Sequence, residues 1–205
     1  MSFLEKSEIL IIDIPPKLRG LVKENFVTKI ARLIPYIIQS EIKKVIFISS
    51  TSVYGDSNTI VTEMSATNPD TEAGIQLLEI ESELKSHTEF ETTIIRFSGL
   101  IGDDRHPIKS LSGKTNIENP DAPVNLVHLN DCIGIITKII QGNIFGKTYN
   151  VAYPFHPSRI NYYTTKAQSL GLPLPLFSGE KLSVGKTISS EKLIKELSYD
   201  FTTAI

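Results

Sequence analysis

Cysteine is almost absent from this sequence, whose 205 residues contain one, Cys132. A single cysteine excludes an internal disulfide framework and agrees with a reducing compartment such as the cytoplasm. Cys132 follows a polar pair at a predicted helix start, a position that could activate a thiol modestly. A small buried side chain is the simpler interpretation, so we expect Cys132 to be a core residue.

Long apolar runs and clusters of basic residues are also missing. No segment reaches the roughly eighteen uninterrupted apolar residues that a membrane-spanning helix needs. The first six residues include charged side chains where a signal peptide would have an apolar centre. A formal net charge of -2 without basic clusters gives no footprint for nucleic acid. We therefore expect a cytoplasmic, globular protein that binds neither nucleic acid nor membrane.

Two further kinds of site are excluded by spacing. The histidines at positions 87, 106, 128 and 156 have no Cys or His partners at metal-ligand spacing, so no metal site is predicted. Gly-Lys-Thr occurs three times, but the first glycine of a phosphate-binding loop is replaced each time, by Ile108, Gln141 and Glu180. A nucleoside triphosphatase is therefore not indicated.

The sequence does contain a regular alternation of apolar strands and amphipathic helices. Apolar stretches predict strands at residues 8–14, 44–48, 93–97, 124–127 and 148–152. Apolar residues three or four positions apart predict helices at residues 21–39, 71–87, 130–141, 159–170 and 190–197, the first of them interrupted at Pro35. This order is typical of an α/β fold with an incomplete doubly wound, Rossmann-like parallel sheet, helices on both faces and a small C-terminal lobe. We predict one domain, with residues 1–152 as the nucleotide-binding core, residues 153–205 as the lobe, and the strand at 124–127 serving the substrate side.

Small and polar residues collect where these strands end. Pro15 follows the first strand, a run of four hydroxyl residues at 49–52 follows the second, and Ser98 follows the third. Because parallel α/β sheets bind ligands at the carboxyl ends of their strands, these positions form a candidate site. The alternative interpretation is that the hydroxyl groups make turn and cap hydrogen bonds.

Several short motifs occur in a fixed order along the chain. They are Ser-Ser-Thr-Ser-Val-Tyr-Gly-Asp at 49–56, then Glu63, Pro69 and a helix with Glu81, then Ile-Ile-Arg-Phe-Ser-Gly-Leu-Ile-Gly at 94–102, and Val-His-x-x-Asp at 127–131. In this order they resemble an extended short-chain dehydrogenase/reductase of the NAD-dependent epimerase/dehydratase group. Asp-Arg-His-Pro at 104–107 is similar to the atypical epimerase-like branch of that family.

The resemblance implies hydride exchange with NAD or NADP, assisted by a serine, a tyrosine and a lysine. The serine corresponds to Ser50, and the implied cofactor contacts are Pro15, Ser49, Thr51 and Ser98. Family spacing from Pro69 to Glu81 puts the tyrosine at position 73 and the lysine at position 77, which here are Ala73 and Leu77. Tyr54 is the nearest phenol, but it stands in a loop rather than on the helix.

The glycine-rich turn that seats the cofactor pyrophosphate in this family does not occur in the sequence. We therefore expect a truncated relative in which the cofactor site is incomplete. The strand at 9–14 would then be an apolar sheet edge, which is a template for pairing with another chain. We expect a homodimer or larger homo-oligomer that uses this strand.

Four residues are candidates for binding a small-molecule substrate, namely Arg105, His106, Asn125 and His128. A structural alternative is that Asn125 and His128 satisfy backbone groups, while Asn130 or Asp131 caps the next helix. Arg96 lies inside a predicted strand, so we expect it to pair with a carboxylate, either Glu63 or Glu81.

Two functional hypotheses follow. The leading one is an NAD(P)-dependent epimerase/dehydratase-like protein that lacks standard catalytic activity, because the Tyr-Lys pair and the glycine-rich turn are absent. The alternative is a non-catalytic module, derived from the same fold, that binds a small ligand or a protein partner.

Overall fold

The computed structural model describes residues 4–16, 25–57, 59–179 and 181–205. Residues 21–24, where the first predicted helix begins, lie outside these ranges. Across the ranges, no helix has both the length and the apolar character that crossing a membrane takes.

Four parallel strands form the main sheet, as the apolar stretches predict. In spatial order they are β1 (Ile9–Ile12), β2 (Lys44–Ser50), β4 (Glu91–Phe97) and β7 (Thr148–Val151). Two small parallel pairs lie outside this sheet: β3 (Ile60–Val61) with β8 (Thr187–Ile188), and β5 (Gly99–Ile101) with β6 (Leu126–His128).

Helices connect the strands and cover the sheet. They are α1 (Phe26–Ala31), α2 (Ile34–Ile38), α3 (Glu72–Ser86), α4 (Ile108–Leu111), α5 (Leu129–Gln141), α6 (Arg159–Ser169) and α7 (Glu191–Leu197), and a short 3₁₀ turn at Thr51–Val53 follows β2. The predicted helix at 21–39 is thus divided in two. Pro35 stands in the first turn of α2, where a missing N–H costs no intrahelical hydrogen bond.

Apolar side chains leave alternate faces of the strands and form two cores. Val45 and Phe47 of β2 pack with α1, α2 and α3, whereas Ile46 packs with α5 and α7 on the opposite face. Successive side chains of a strand point to opposite faces, so a strand covered on both sides needs a continuous apolar run. The predicted Rossmann-like α/β sheet with helices on both faces is confirmed.

A third apolar cluster lies apart from the main sheet. It joins β5, α4, β6 and α6 through Ile101, Ile108, Leu126 and Tyr163. This cluster combines residues from both sides of position 152, the predicted boundary between the nucleotide-binding core and the C-terminal lobe. The predicted division at that position stays a prediction.

The turn after β2 is held against α3 by a very close backbone approach. Gly74 lies in the first turn of α3, and a Cβ at this position would lie 2.3 Å from the Ser52 carbonyl oxygen and 2.9 Å from Pro69 Cβ. The Thr71 side chain caps the helix by accepting from the Gly74 N–H at 3.2 Å. The helix therefore begins directly against the hydroxyl-rich turn.

Replacing Gly74 by Ala should destabilise the protein by about 1–3 kcal/mol, because the added methyl group overlaps the Ser52 carbonyl. This effect opposes the gain of about 0.5–1 kcal/mol that alanine usually gives inside a helix. Gly179→Ala is the control, since a Cβ there meets nothing within 4 Å. Urea unfolding measures both, and a Gly74→Ala variant as stable as the wild type would contradict the close approach.

Candidate functional site

Ser50 ends β2 and begins the 3₁₀ turn. Its backbone is extended, with φ -141 and ψ 151, and its Oγ accepts from the Ser52 N–H at 3.1 Å. Ser50 is partly exposed, and its hydroxyl keeps a proton to donate after accepting this bond. Ser50 therefore acts as a turn cap while still presenting a donor at the carboxyl edge of the sheet.

A buried ion pair lies beneath this turn. Arg96 Nε donates to Glu81 Oε1 at 3.0 Å and Arg96 Nη2 donates to Glu81 Oε2 at 2.5 Å, with side-chain exposures of 7% and 3%. Burial lowers the pKa of Arg96, but the bond to Glu81 and its charge outweigh burial and leave the pKa above its ordinary value. The expected carboxylate partner of Arg96 is therefore Glu81.

Ser49 belongs to the same network. Its Oγ donates to Glu81 Oε1 at 2.6 Å, and the residue is buried. Thr51 is also buried, whereas Pro15 is exposed beyond the end of β1. The cofactor contacts implied for these three residues stay predictions. For Ser49, its buried position does not favour a contact with a cofactor.

Tyr54 is fully committed to this buried network. Its hydroxyl donates to Asn150 Oδ1 at 3.0 Å and accepts from Arg96 Nη1 at 2.5 Å, and the residue is 1% exposed. Burial raises the pKa of Tyr54 above its ordinary value, and the Arg96 charge only partly offsets this rise. Tyr54 is thus a poor substitute for a proton-transferring phenol.

Two polar groups in this region are buried without a hydrogen-bond partner among the described residues, Ser98 Oγ and Asn150 Nδ2. Ser98 follows β4, and its N–H donates to the Val151 carbonyl at 2.9 Å. The Asn150 N–H donates to Glu63 Oε1 at 2.8 Å. Glu63, the other carboxylate considered for Arg96, therefore binds the backbone of β7 instead. The cofactor contact implied for Ser98 stays a prediction.

The positions implied for the tyrosine and lysine lie on the first turns of α3. Ala73 is partly exposed, while Leu77 is 4% exposed and packs in the core with α1. A side chain at position 77 therefore points into apolar surroundings, where a lysine ammonium group would lose its hydration. Neither residue can transfer a proton.

A pocket of about 240 Å³ opens at the carboxyl ends of β1, β2 and β4, on the side of α5. Its apolar lining comprises Ile48, Phe97, Leu100, Ile101, Leu129, Ile133 and Ile136, and its polar lining includes Asp13, Asp104 and Arg105. Cys132 also contributes to the wall. Burial and then the Asp131 charge raise the pKa of the Cys132 thiol to about 12, so it is an unreactive wall residue.

Arg105 is the one predicted substrate residue that reaches this pocket. It lies in an exposed turn in which the Gly102 N–H donates to the Arg105 carbonyl at 2.9 Å. His106 lies next to it, but its ring is engaged elsewhere. Its Nδ1 accepts from the Ile108 N–H at 3.1 Å, which leaves Nε2 to donate to the Tyr162 hydroxyl at 2.9 Å.

Asn125 and His128 satisfy backbone groups, as the structural alternative predicts. Asn125 Nδ2 donates to the Lys186 carbonyl at 2.7 Å, and its Oδ1 accepts from the Ile188 N–H at 2.9 Å. His128 caps α5, since its Nδ1 accepts from the Asn130 N–H at 3.2 Å. The prediction that Asn130 or Asp131 caps this helix is wrong.

Asp131 instead fixes the C-terminal segment to α5. Its carboxylate is fully buried and accepts from the Tyr199 hydroxyl, from the N–H and hydroxyl of Thr202, and from the Thr203 N–H, at 2.8 to 3.2 Å. These neutral donors compensate the buried carboxylate.

Two features of the site escape sequence reasoning. One is the wall of the pocket formed by α5. Its residues Leu129, Ile133 and Ile136 recur at helical spacing, on a different side of α5 from its core residues. Lys186 is the other, since its Nζ donates to the Tyr54 carbonyl at 2.7 Å and to Asp56 at 3.1 Å. A second apolar stripe on α5 is a readable signal, whereas the contact of Lys186 spans 132 residues.

The described residues include no group of three or more His, Cys, Asp and Glu side chains that could hold a metal ion.

Solved structures define the class of fold to which this site belongs. A conserved protein of unknown function from Silicibacter pomeroyi superposes with a TM-score of 0.80 at 20% identity, covering 98% of this chain and 74% of its own. A UDP-glucuronic acid 4-epimerase variant from Bacillus cereus, in complex with a fluorinated UDP-glucuronic acid and NAD, gives a TM-score of 0.80 at 18% identity, covering 99% of this chain and 73% of its own. The fold is that of Rossmann-like α/β proteins, among which NAD-dependent epimerases are represented.

Sequence comparison then gives the family. Protein YeeZ of Escherichia coli K12 is 36% identical over 202 residues, which are 98% of this chain and 73% of YeeZ. The chain belongs to the YeeZ family. No family model matches the sequence.

Glu81→Ala should destabilise the protein by about 3–5 kcal/mol, because it leaves the buried Arg96 guanidinium without its carboxylate. Glu79→Ala, on an exposed position of the same helix, is the matched control and should change little. Urea unfolding followed by circular dichroism measures both. Equal stabilities of the two variants would contradict the assigned role of the ion pair.

Acidification should weaken the fold through His106. Burial, with smaller effects from Lys166 and Lys109, lowers the pKa of His106 from 6.5 to about 4 in the folded protein. Between these values the unfolded chain binds the proton and the folded chain does not, so this contribution to stability is present above pH 6.5 and is lost as pH falls.

The urea midpoint should therefore fall less between pH 7 and pH 5 in a His106→Asn variant than in the wild type. An identical pH dependence in both proteins would show that His106 is not held neutral by the fold.

Proposed function

We propose that the chain binds the nicotinamide part of a dinucleotide in the pocket beside α5, and that it does not perform tyrosine-assisted hydride transfer. The observation that carries the proposal is that the two faces of the main sheet differ at the carboxyl ends of its strands. One face holds an open, apolar pocket of about 240 Å³. The opposite face, where the resemblance places the proton-transferring pair, is closed by Leu77 and the Tyr54 network.

The pocket residues suit a flat, weakly polar ring. Phe97, Leu100 and Ile133 would contact the ring, and Arg105 at the rim would face a phosphate group. When bound, a nicotinamide dinucleotide supplies hydride exchange with a substrate carbon. The likeness to an epimerase variant whose structure contains NAD supports the choice of this cofactor.

These 205 residues offer fewer binding groups for the rest of the dinucleotide. They contain no glycine-rich strand-to-helix turn, so they offer no backbone nest for the pyrophosphate. Binding by this chain therefore rests on the nicotinamide end, and we expect dissociation constants near the millimolar range, about -4 kcal/mol.

Proton transfer is the function that the chain lacks in this proposal. Ser50 retains a hydroxyl proton with which to orient a substrate oxygen, but Ala73 and Leu77 carry no ionisable group. The Tyr54 phenol is buried and engaged by Asn150 and Arg96. General acid-base catalysis requires a titratable group within hydrogen-bond reach of the reacting oxygen.

A second candidate function is a non-catalytic module that binds an apolar small molecule in the same pocket. The exposure of its α5 wall favours this candidate, since Leu129 is 56% exposed and Ile133 is 55% exposed. Apolar walls of this kind serve a hydrophobic ligand as well as a nicotinamide ring.

Titration with NADH, followed by its fluorescence, separates the two candidates. The wild type should enhance NADH fluorescence as the cofactor enters the millimolar range. Ile133→Glu should weaken binding by about tenfold or more, because a carboxylate then lines the ring site. Ile75→Glu is the matched control, since Ile75 is 48% exposed on α3 and lies outside the pocket.

The absence of any fluorescence change at millimolar NADH and NADPH would contradict the nicotinamide proposal and leave the apolar-ligand module. An equal loss of binding in the two variants would place the cofactor elsewhere on the chain.

A further inference from the structure

Two lysines from different helices meet at Thr148, the first residue of strand β7. Lys85, in the last turn of α3, donates from Nζ to Thr148 Oγ1 at 2.6 Å. Lys192, in the first turn of α7, donates from Nζ to the Thr148 carbonyl at 2.9 Å. Because both ammonium groups bind atoms of the same residue, they lie close together although they are distant in sequence.

Neither lysine forms an ion pair with a carboxylate in the described part of the chain. The carboxylates whose charges act on them are bonded to other groups. Glu196 accepts from Lys147 at 2.8 Å and from the Tyr149 hydroxyl at 2.9 Å, and Glu81 is paired with Arg96. An ammonium group has three donors, so Nζ of each of the two lysines keeps N–H groups for an added anion.

The Lys85 amine combines access with reduced basicity. Lys85 is exposed, so a reagent in solution can reach it. Partial burial of its ammonium group lowers the pKa of Lys85, Glu81 opposes this shift, and the charges of Arg96 and Lys192 lower the pKa further. A neighbouring cation and partial desolvation are the conditions that make a lysine amine a nucleophile.

We propose that Lys85 is an acylation site whose acyl donor is an acyl phosphate, held through its phosphate group by Lys192. The lone pair of the neutral Lys85 Nζ attacks the acyl carbon and forms the N–C bond of an amide. The C–O bond between the acyl carbon and the phosphate breaks, and the phosphate leaves with its electron pair. The proton lost by Nζ passes to solvent, and no group is oxidised or reduced.

The position of the second cation favours an acyl phosphate over an acyl thioester. In an acyl phosphate the anionic group is attached directly to the reacting carbonyl, so a cation beside the nucleophile can bind it. Lys192 would also stabilise the charge that develops on the leaving oxygen. The Thr148 hydroxyl accepts from Lys85 and keeps a proton to donate to a phosphate oxygen. A thioester has no anionic group at this place.

This site is separate from the pocket beside α5. Thr148 begins β7, whereas the pocket opens at the carboxyl ends of the parallel strands. None of Lys85, Thr148 and Lys192 lines the pocket. The proposal therefore does not depend on what the pocket binds.

Incubation of the 205-residue chain with acetyl phosphate, followed by site-resolved mass spectrometry, tests the proposal. At about pH 8, where an ordinary lysine is almost fully protonated, Lys85 should be acetylated about threefold or more faster than Lys138. Lys138 is an exposed lysine on α5 and serves as the internal reference. Equal rates at the two lysines would overturn the acylation site.

Substitutions at position 192 test the phosphate contact. Lys192→Gln should slow acetylation of Lys85 by acetyl phosphate about threefold or more, because it removes the cation that binds the phosphate. Lys192→Arg keeps the cation and should retain most of the rate. Lys195→Gln, at an exposed position of the same helix, is the matched control and should change little.

A neutral reagent separates phosphate binding by Lys192 from its effect on the basicity of Lys85. N-hydroxysuccinimidyl acetate has no anionic group, so its rate at Lys85 reports the reactivity of the amine alone. The loss caused by Lys192→Gln should be larger with acetyl phosphate than with this ester. Equal losses with the two reagents, or no loss with either, would overturn the role of Lys192 in binding the phosphate.

Discussion

Glu81 and Arg96 carry opposite charges into a part of the molecule that water hardly reaches, and the carboxyl edge of the sheet is arranged around their bond. Arg96 comes from β4 and Glu81 from α3, while Ser49 of β2 donates to the same carboxylate. A second donor of Arg96 reaches the Tyr54 hydroxyl, which in turn binds Asn150 of β7. One chain of hydrogen bonds thus connects three strands, one helix and the turn that carries Ser50. An unpaired charge in such surroundings costs several kcal/mol, so the arrangement is stable only as a whole.

This network has a direct consequence for function. It occupies the side of the sheet where the sequence resemblance implies a proton-transferring pair, at Ala73 and Leu77, and it includes the buried Tyr54. The open side of the same edge is apolar and lies against α5. The proposed binding of a flat ring therefore uses the open side, because the other side is filled by hydrogen-bonded polar groups.

The fold could be predicted because its signal is local. Continuous apolar runs such as 44–48 and helical spacing such as that of α5 report directly on a sheet covered by helices on both faces. The need of Arg96 for a carboxylate could also be predicted, but the choice of Glu81 over Glu63 depends on where α3 crosses the sheet. The four hydroxyl residues at 49–52 could not be assigned separate roles either, because β2 extends through Ser50 and places Ser49 towards the core and Ser50 at the sheet edge.

Other parts of the site depend on contacts distant in sequence or on backbone geometry. His128 caps α5 because its ring nitrogen reaches the Asn130 N–H, although Asn and Asp are the more usual caps. Lys186 donates to the carbonyl of Tyr54, which lies 132 positions earlier in the sequence, and no local sequence pattern predicts such a contact.

A titration with nicotinamide mononucleotide, followed by two-dimensional amide NMR, is the sharpest test of nicotinamide binding beside α5, because this ligand contains the ring but needs no pyrophosphate site. We expect chemical-shift changes concentrated at Leu100, Gly102 and Ile133, with Gly74 and Leu77 unaffected. Shifts centred on α3, or none at saturating ligand, would contradict it.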